Sequence, residues 1–518
     1  MLVYIYDDSM VQDNAQKSRT IAKNTLMLYV RMIFLLLVGF YTSRVVLDSL
    51  GEDDYGIYGV VGGVVAMFSI ISGALNSAVS RFITFEMGKG EKARLDKVYS
   101  TSVLIQISLS FIIVAICEPV GIWFIRNEMT IAPDRIPAAL WVLQFSLLSF
   151  VINLMSVPQM ASITAHEKMS AYAYIGILDG ILRLAVALLI VHSPTDRLIW
   201  YSALMAVAVM AVRIAYGVYC RMHFPECRFR IYFEKGLVKD MFSFAGWNFI
   251  GVTSGVLRDQ GGNILVNIFF TTAMNAARGI AVQLNGAVQG FVTNFMTAVN
   301  PQITKSYASG ERDYMLTLVK KSSRMAFFLL FIIALPLLFN TEYLLEIWLK
   351  EVPEHSASFV RLFLIFALSE SLSSPLITAQ LATGNIRNYQ IIVGGLQLLN
   401  LPVSYIFLKY GAPAQATVAV SIVMSQICLV ARLMLLKHMV GLSPKEFFTQ
   451  VYIKVLAVSS AALALPLLLA GVMPCGLTGF CISVLLCVLC AGMSILYLGC
   501  TRGERQEIVS MILNRIGR

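Results

Sequence analysis

The stretch SAVSRFITFEMGKGE at residues 77–91 returns 220 positions later as TAVNPQITKSYASGE at residues 297–311, without a gap. Ala78, Val79, Ile83, Thr84, Gly90 and Glu91 recur as Ala298, Val299, Ile303, Thr304, Gly310 and Glu311, and Gly59 falls on Gly279 at the same spacing. A second block pairs Pro158, Ala165 and Tyr172 with Pro375, Ala382 and Tyr389, 217 positions apart. One identity is chance; two collinear blocks at nearly one spacing are a duplication. The chain contains one unit twice, in the same orientation.

What is repeated spans a membrane. The 518 residues are 58% hydrophobic and 14% charged, with a mean hydropathy of +0.74. Soluble domains average about 45–50% apolar and about 25% charged. Apolar runs long enough to cross as helices, about 20 residues each, recur from Asn24 to Cys500. The short alternating segments of an outer-membrane barrel are not seen.

About fourteen spans are predicted. The first seven lie near 24–47, 56–80, 98–125, 136–160, 170–192, 197–220 and 242–270. The others lie near 276–304, 317–339, 357–381, 389–409, 414–436, 450–472 and 476–499. The organisation is then an N-terminus (1–23), an N-lobe of six spans (24–220), a linker (221–241), a C-lobe of six (242–437), spans 13 and 14 (438–500) and a tail (501–518). The expected fold is an all-α integral membrane protein, with two six-helix lobes in parallel pseudo-repeat around a central cavity and two C-terminal helices appended. Parallel repeats of this kind are one standard build of secondary transporters.

The net charge of +10 needs no nucleic-acid partner. With both termini in the cytoplasm, most of the Lys and Arg fall on that side, among them Arg81, Lys89, Lys92, Arg94 and Lys97; Arg221, Arg228, Arg230, Lys235 and Lys239; and Lys305, Arg312, Lys320, Lys321 and Arg324. External loops are acidic, as in Glu52-Asp53-Asp54. This is the positive-inside rule. The first twenty residues turn basic only after an acidic start, the wrong order for a secretory leader, and Met10 is an alternative start. Nine cysteines sit mostly inside spans; Cys487-Val-Leu-Cys490 has metal spacing but no second pair, so packing explains it.

Arg31, Arg44, Arg183, Arg213, Arg258, Arg278 and Arg361 lie inside the spans. A central arginine costs roughly 3 kcal/mol to insert, so most are expected to face a wet cavity, and a cationic cavity suits an anionic cargo. Asp179 and Arg183 are four apart on one helical face, either a self-neutralised structural pair or a cavity-lining one. Span 7 concentrates Gly246, Asn248, Gly251, Ser254 and Gly255 before Arg258-Asp259-Gln260. Small-residue packing explains those glycines but not these charges, so span 7 is read as cavity-lining. Arg31 has no acid nearby in its own helix and is a functional candidate. Arg278 is either a lid residue near the outside or a cavity ligand. Arg44 with Asp48, Arg213 and Arg361 are read as snorkelling. Glu370, near Pro375, is a lone intramembrane carboxylate. Asp179, Asp259 and Glu370 are therefore candidate ion-coupling residues.

No Walker phosphate loop is present. No catalytic constellation or metal-ligand cluster stands out, so no enzyme activity, metal or cofactor is expected beyond a proton or sodium gradient. His166-Glu167-Lys168 reads as a plain cytoplasmic loop.

Three motifs carry a family resemblance. Leu50-Gly51 followed by Asp54-Tyr55-Gly56 is similar to the LG-x-x-x-YG signature of polysaccharide-exporting flippases. So are Pro301-x-x-x-Lys305-x-Tyr307-Ala308-x-Gly310 and Pro158 with His166-Glu167. The chain resembles the polysaccharide-exporter and O-antigen flippase family of the multidrug/oligosaccharidyl-lipid/polysaccharide exporter superfamily, over about 24–500. That resemblance implies an inner-membrane flippase for O-antigen, capsule or exopolysaccharide units carried on undecaprenyl pyrophosphate. It implies cavity arginines on the anionic head, mapped to Arg31, Arg183, Arg258 and Arg278, and spans 13 and 14 beside the isoprenoid tail. A monomer is expected, working with membrane lipids and polysaccharide polymerase machinery. The rival within the superfamily is a cation-coupled multidrug exporter, which would favour an acidic, aromatic cavity. A polymerase or ligase would need a large external loop, and none is predicted.

Overall fold

Gly51 divides the first helix. Helix α1 (Leu2–Ala66) is interrupted there at φ 79°, ψ 171°, a backbone region essentially reserved for glycine. The Leu50-Gly51 signature is thus the hinge between the first and second spans. Gly51→Ala should cost about 1–3 kcal/mol and lower the thermal midpoint in detergent; an unchanged midpoint would show the break is not enforced by the backbone. Just beyond the hinge, Arg135 donates through Nε to Asp54 at 2.9 Å and also bonds Asp196, while Arg197 donates to the Ser49 carbonyl at 3.0 Å. Asp196 caps the next helix through the amides of Leu198 and Ile199. Burial opposes its charge, yet Arg135 and those amides hold its carboxyl below the usual range.

The computed structural model describes residues 2–66, 69–129, 131–193, 196–228, 230, 232, 234–349, 351–469 and 476–506. The end of predicted span 13, the external Lys350 and most of the 501–518 tail lie outside the described residues. After α1 come α2 (Ser69–Lys89), α3 (Lys92–Asn127), α4 (Ile136–Ala165), α5 (Met169–Leu189) and α6 (Arg197–His223). Then follow α7 (Lys235–Phe269), α8 (Thr272–Ala308), α9 (Arg312–Phe339), α10 (Thr341–Trp348), α11 (Ser356–Ser371) and α12 (Ser374–Thr383). The remaining spans are Arg387–Lys409, Ala416–Val440, Pro444–Leu469 and Leu477–Gly499. No strand occurs among the described residues.

Among the described residues, eleven helices are long and apolar enough to cross a membrane. The predicted spans near 242–270 and 276–304 are helical too, as α7 and α8 over 35 and 37 residues, but too polar to stand among those eleven. The predicted span near 56–80 is divided between the end of α1 and the start of α2, with 67–68 outside the described residues. Predicted span 10 is two helices: α11 stops at Ser371, and α12 starts with Pro375 in its first turn, where the missing N–H costs nothing.

The duplication is visible in the backbone. Gly90 and Gly310, equivalent in the first block, both end helices with left-handed φ of 75° and 82°. Glu167 and Gly384, 217 apart, both turn the chain with positive φ, 57° and 76°.

By packing, the chain divides into two units: Met1–Val252 with Thr297–Ser309, and Thr253–Met296 with Gly310–Arg518. In the first, α4 packs on α2, α3 and α6, and α1 on α5; Ile57, Val61, Ile113, Val142, Leu143 and Leu198 form a core. In the second, α9 packs against α11 and Leu477–Ser494. There the buried Arg324 forks onto Glu504 at 2.6 and 2.8 Å. Burial works against the Glu504 charge, but the Thr501 amide, Arg324 and Lys321 hold the carboxyl below its ordinary range. A carboxyl depressed by folding contributes stability that is complete above its unfolded value, about 4.3, and is lost as pH falls through the folded value. Glu504→Gln should therefore lower the thermal midpoint at neutral pH and flatten its fall below about pH 4; an unchanged acid limb would show that Glu504 is not linked to folding.

Candidate functional site

The first unit builds its site along one stripe of α5. Tyr172, Gly176, Asp179 and Arg183 are spaced i, i+4, i+7, i+11 and so share a face. The Arg31 guanidinium of α1 lies 4.5 Å from the centre of the Tyr172 ring. Gly176 makes room for it: a Cβ there would sit 2.8 Å from Arg31 Cδ. Cation–π contact lowers the cost of a charge at this depth without spending its hydrogen-bond donors. Tyr216 on α6 feels the charges of both Arg31 and Asp179.

Further along the stripe, Arg183 Nε donates to both Asp179 oxygens at 3.0 Å. Its two Nη groups make no hydrogen bond among the described residues. Arg183 lines a pocket of about 230 Å³ with Tyr58, Ser146, Ser149, Asn153 and Ser202. Tyr58 and Tyr201 meet edge-on at 4.8 Å, and both feel the Arg183 charge. The carboxylate orients the guanidinium and leaves its fork open, the geometry that suits bidentate capture of phosphate or carboxylate. Hydroxyls, an amide and aromatic faces around it suit sugars.

The second unit has its own group. Arg258 on α7 contacts Asp259 at 2.9 Å and lies 4.9 Å from the Phe366 ring centre. Arg278 on α8 is 4% exposed; it bonds the Asn263 side chain and the Asp259 carbonyl and lies 5.5 Å from the Phe363 ring. A Cβ at Gly262 would collide with that guanidinium. Phe363, Phe366 and Glu370 form one stripe of α11. Glu370 makes no direct hydrogen bond among the described residues and acts electrostatically on Arg258 and Arg432.

The candidates thus fall into two groups: Arg31, Asp179 and Arg183 in the first unit, Arg258, Asp259, Arg278 and Glu370 in the second. Burial removes the lid reading of Arg278. Arg361 reaches Glu342 at 2.6 Å while remaining exposed, as a snorkelling residue would. Arg213 corrects its sequence reading. It is spent between helices, donating to the Met155 carbonyl at 2.5 Å and to Gln159. Arg44 and Asp48 are both exposed and form no ion pair with each other among the described residues. The residue missed altogether is Arg432, 2% exposed inside Ala416–Val440, with Nε on the Tyr389 hydroxyl at 2.8 Å. The available signal was Tyr389 itself, the repeat partner of Tyr172: each of the two tyrosines holds an intramembrane arginine.

The sequence model of the polysaccharide biosynthesis protein family matches residues 21–307, more than half of the chain. No curated protein matches in sequence. Among solved structures, MATE in the straight conformation has a TM-score of 0.71 at 12% identity, covering 82% of this chain and 97% of its own. An outward-facing multidrug resistance MATE family transporter of the MOP superfamily has 0.71 at 11%, covering 81% and 96%. A MOP superfamily transporter from Pyrococcus furiosus Vc1, for which reverse polarity of the binding pocket suggests a different function, has 0.69 at 10%, covering 81% and 96%. At such identities these likenesses establish the fold, that of MATE transporters. The chain is a multi-pass membrane protein that belongs to the polysaccharide biosynthesis protein family.

Proposed function

We propose that this protein is a flippase that moves undecaprenyl-pyrophosphate-linked oligosaccharide units from the cytoplasmic to the periplasmic leaflet of the inner membrane, with both termini cytoplasmic. The observation that carries the reading is the open fork of Arg183, oriented by Asp179 inside a hydroxyl- and amide-lined pocket. A lipid-linked pyrophosphate brings about two negative charges across a low-dielectric layer, and paired guanidinium groups can replace the water it leaves. Arg31, Arg258 and Arg278 supply further counter-charge. The isoprenoid tail stays in lipid while the head passes by alternating access, so no catalysis is needed.

An ion gradient is the proposed drive. Asp179 and Asp259 are occupied by arginines, whereas Glu370 has no direct side-chain partner among the described residues and is the leading coupling residue. Multidrug export is the second reading, favoured by the MATE fold. Arg183 in the pocket, with no acidic residue lining it, weighs against cationic drugs.

The test is deletion of the gene in its host. Surface polysaccharide should disappear while lipid-linked units accumulate on the inner leaflet. Intact polysaccharide together with increased drug sensitivity would transfer the case to multidrug export.

A further inference from the structure

Two of the signature motifs meet in space. The Glu167 carboxylate, from the turn between α4 and α5, accepts from Lys305 Nζ at 2.6 Å and from Gln302 Nε2 at 2.6 Å. Asn24 at the start of the first span donates to the Glu167 carbonyl at 3.3 Å. Glu167 and Lys305 side chains are only 13% and 24% exposed, so the pair is shielded more than a surface bridge. Glu167 adopts φ 57°, a conformation a non-glycine residue keeps only when its surroundings hold it there. Next door, His166 is tied to Glu226 and stacks on Phe224 at 4.0 Å, which bolts the turn from its other side.

Beneath the pair, Leu28, Met169 and Ala298 are each fully buried against one another. The end of α8 also presses on α2: a Cβ at Gly88 would lie 2.8 Å from the Lys305 carbonyl. The duplication does not repeat this device. The counterpart of Glu167 is Gly384, which takes the same turn without strain or charge. The counterparts of Gln302 and Lys305 are Phe82 and Phe85. A feature that one copy has and the other lacks is not demanded by the fold.

We propose that Glu167, Lys305, Gln302 and Asn24 form a latch that pins the basic end of α8 to α1 and the α4–α5 turn, and that it opens when cargo loads from that side. The loading role rests on the flippase reading; the existence of a charge-controlled latch does not.

The test reads the latch directly. Ala298→Cys places a reporter in the buried layer, and a membrane-impermeant maleimide is applied to inverted vesicles, with the parent protein lacking that cysteine as background. Labelling should be slow with the latch intact and about tenfold faster in Glu167→Gln and in Lys305→Gln, the change expected from losing one partly buried ion pair. Glu167→Gly, which relaxes the turn while removing the carboxylate with the rest of the side chain, should match Glu167→Gln and guards against a folding defect. The exchange Glu167→Lys with Lys305→Glu should restore slow labelling. Equal rates in all variants would overturn the proposal, as would an exchange variant labelling as fast as the single ones. Either result leaves the cargo assignment standing, because no transport is measured.

Discussion

Arg183→Ala should leave the protein inserted and folded yet reduce cargo translocation by roughly two orders of magnitude. Its Nη groups have no partner among the described residues, so the resting protein loses only the Nε contacts to Asp179, an exposed i,i+4 pair worth little to the fold. Losing charge-assisted hydrogen bonds to a phosphate is worth about 3 kcal/mol, hence about a hundredfold. Arg183→Lys should recover only part, because an ammonium cannot reproduce the fork. Asp179→Asn keeps the guanidinium and loses its orienting charge, so an intermediate loss of about tenfold is expected. Surface polysaccharide in a complemented deletion strain, normalised to protein in the membrane, measures all three. Unchanged polysaccharide with Arg183→Ala would remove the pocket from the mechanism.

Arg432→Ala should act in the opposite way and unfold the protein. Arg432 is almost wholly buried, and its loss strands the Tyr389 hydroxyl and leaves the Glu370 charge balanced by Arg258 alone. Breaking a buried charged contact costs about 3–5 kcal/mol, a large share of the marginal stability of a folded domain. Thermal unfolding in detergent should show the loss. Arg44→Ala, which removes an exposed arginine with no ion pair among the described residues, should leave the midpoint where it was. Two intramembrane arginines, Arg183 and Arg432, would then separate cleanly: one needed for cargo, the other for the fold. Similar midpoints for Arg432→Ala and Arg44→Ala would show that the Arg432–Tyr389–Glu370 group is not a structural anchor.

The architecture was legible because membrane helices announce themselves one by one. Hydropathy marks the spans, the paired turns at Gly90 and Gly310 lie at positions the repeat already singles out, and the Leu50-Gly51 hinge lies in a motif of the family resemblance. Stripes on one helix were legible too: Asp179 and Arg183 are four apart and do pair. Contacts between helices far apart in sequence were not. Nothing local to Arg213 tells that Gln159 will take its charge, and nothing in His166-Glu167-Lys168 tells that Lys305 will find it. Depth misled as well. Arg432 stands near the basic end of its span, followed by Lys437 and His438, yet packing with Tyr389 buries it. Hydropathy reports how deep a residue sits, not which way it points. The same limit explains the polar helices α7 and α8, whose residues fall below an apolar threshold even though both are long enough to cross.

The account turns on guanidinium groups giving counter-charge to a phosphorylated lipid head. The most direct measurement reconstitutes the purified protein in liposomes with a fluorescent undecaprenyl-pyrophosphate-linked oligosaccharide and follows its quenching by an impermeant reductant, leaflet by leaflet. Wild type should bring the inner-leaflet lipid out rapidly, and the double variant Arg183→Ala with Arg258→Ala should be no faster than empty liposomes. Translocation by the double variant at the wild-type rate would contradict the central claim.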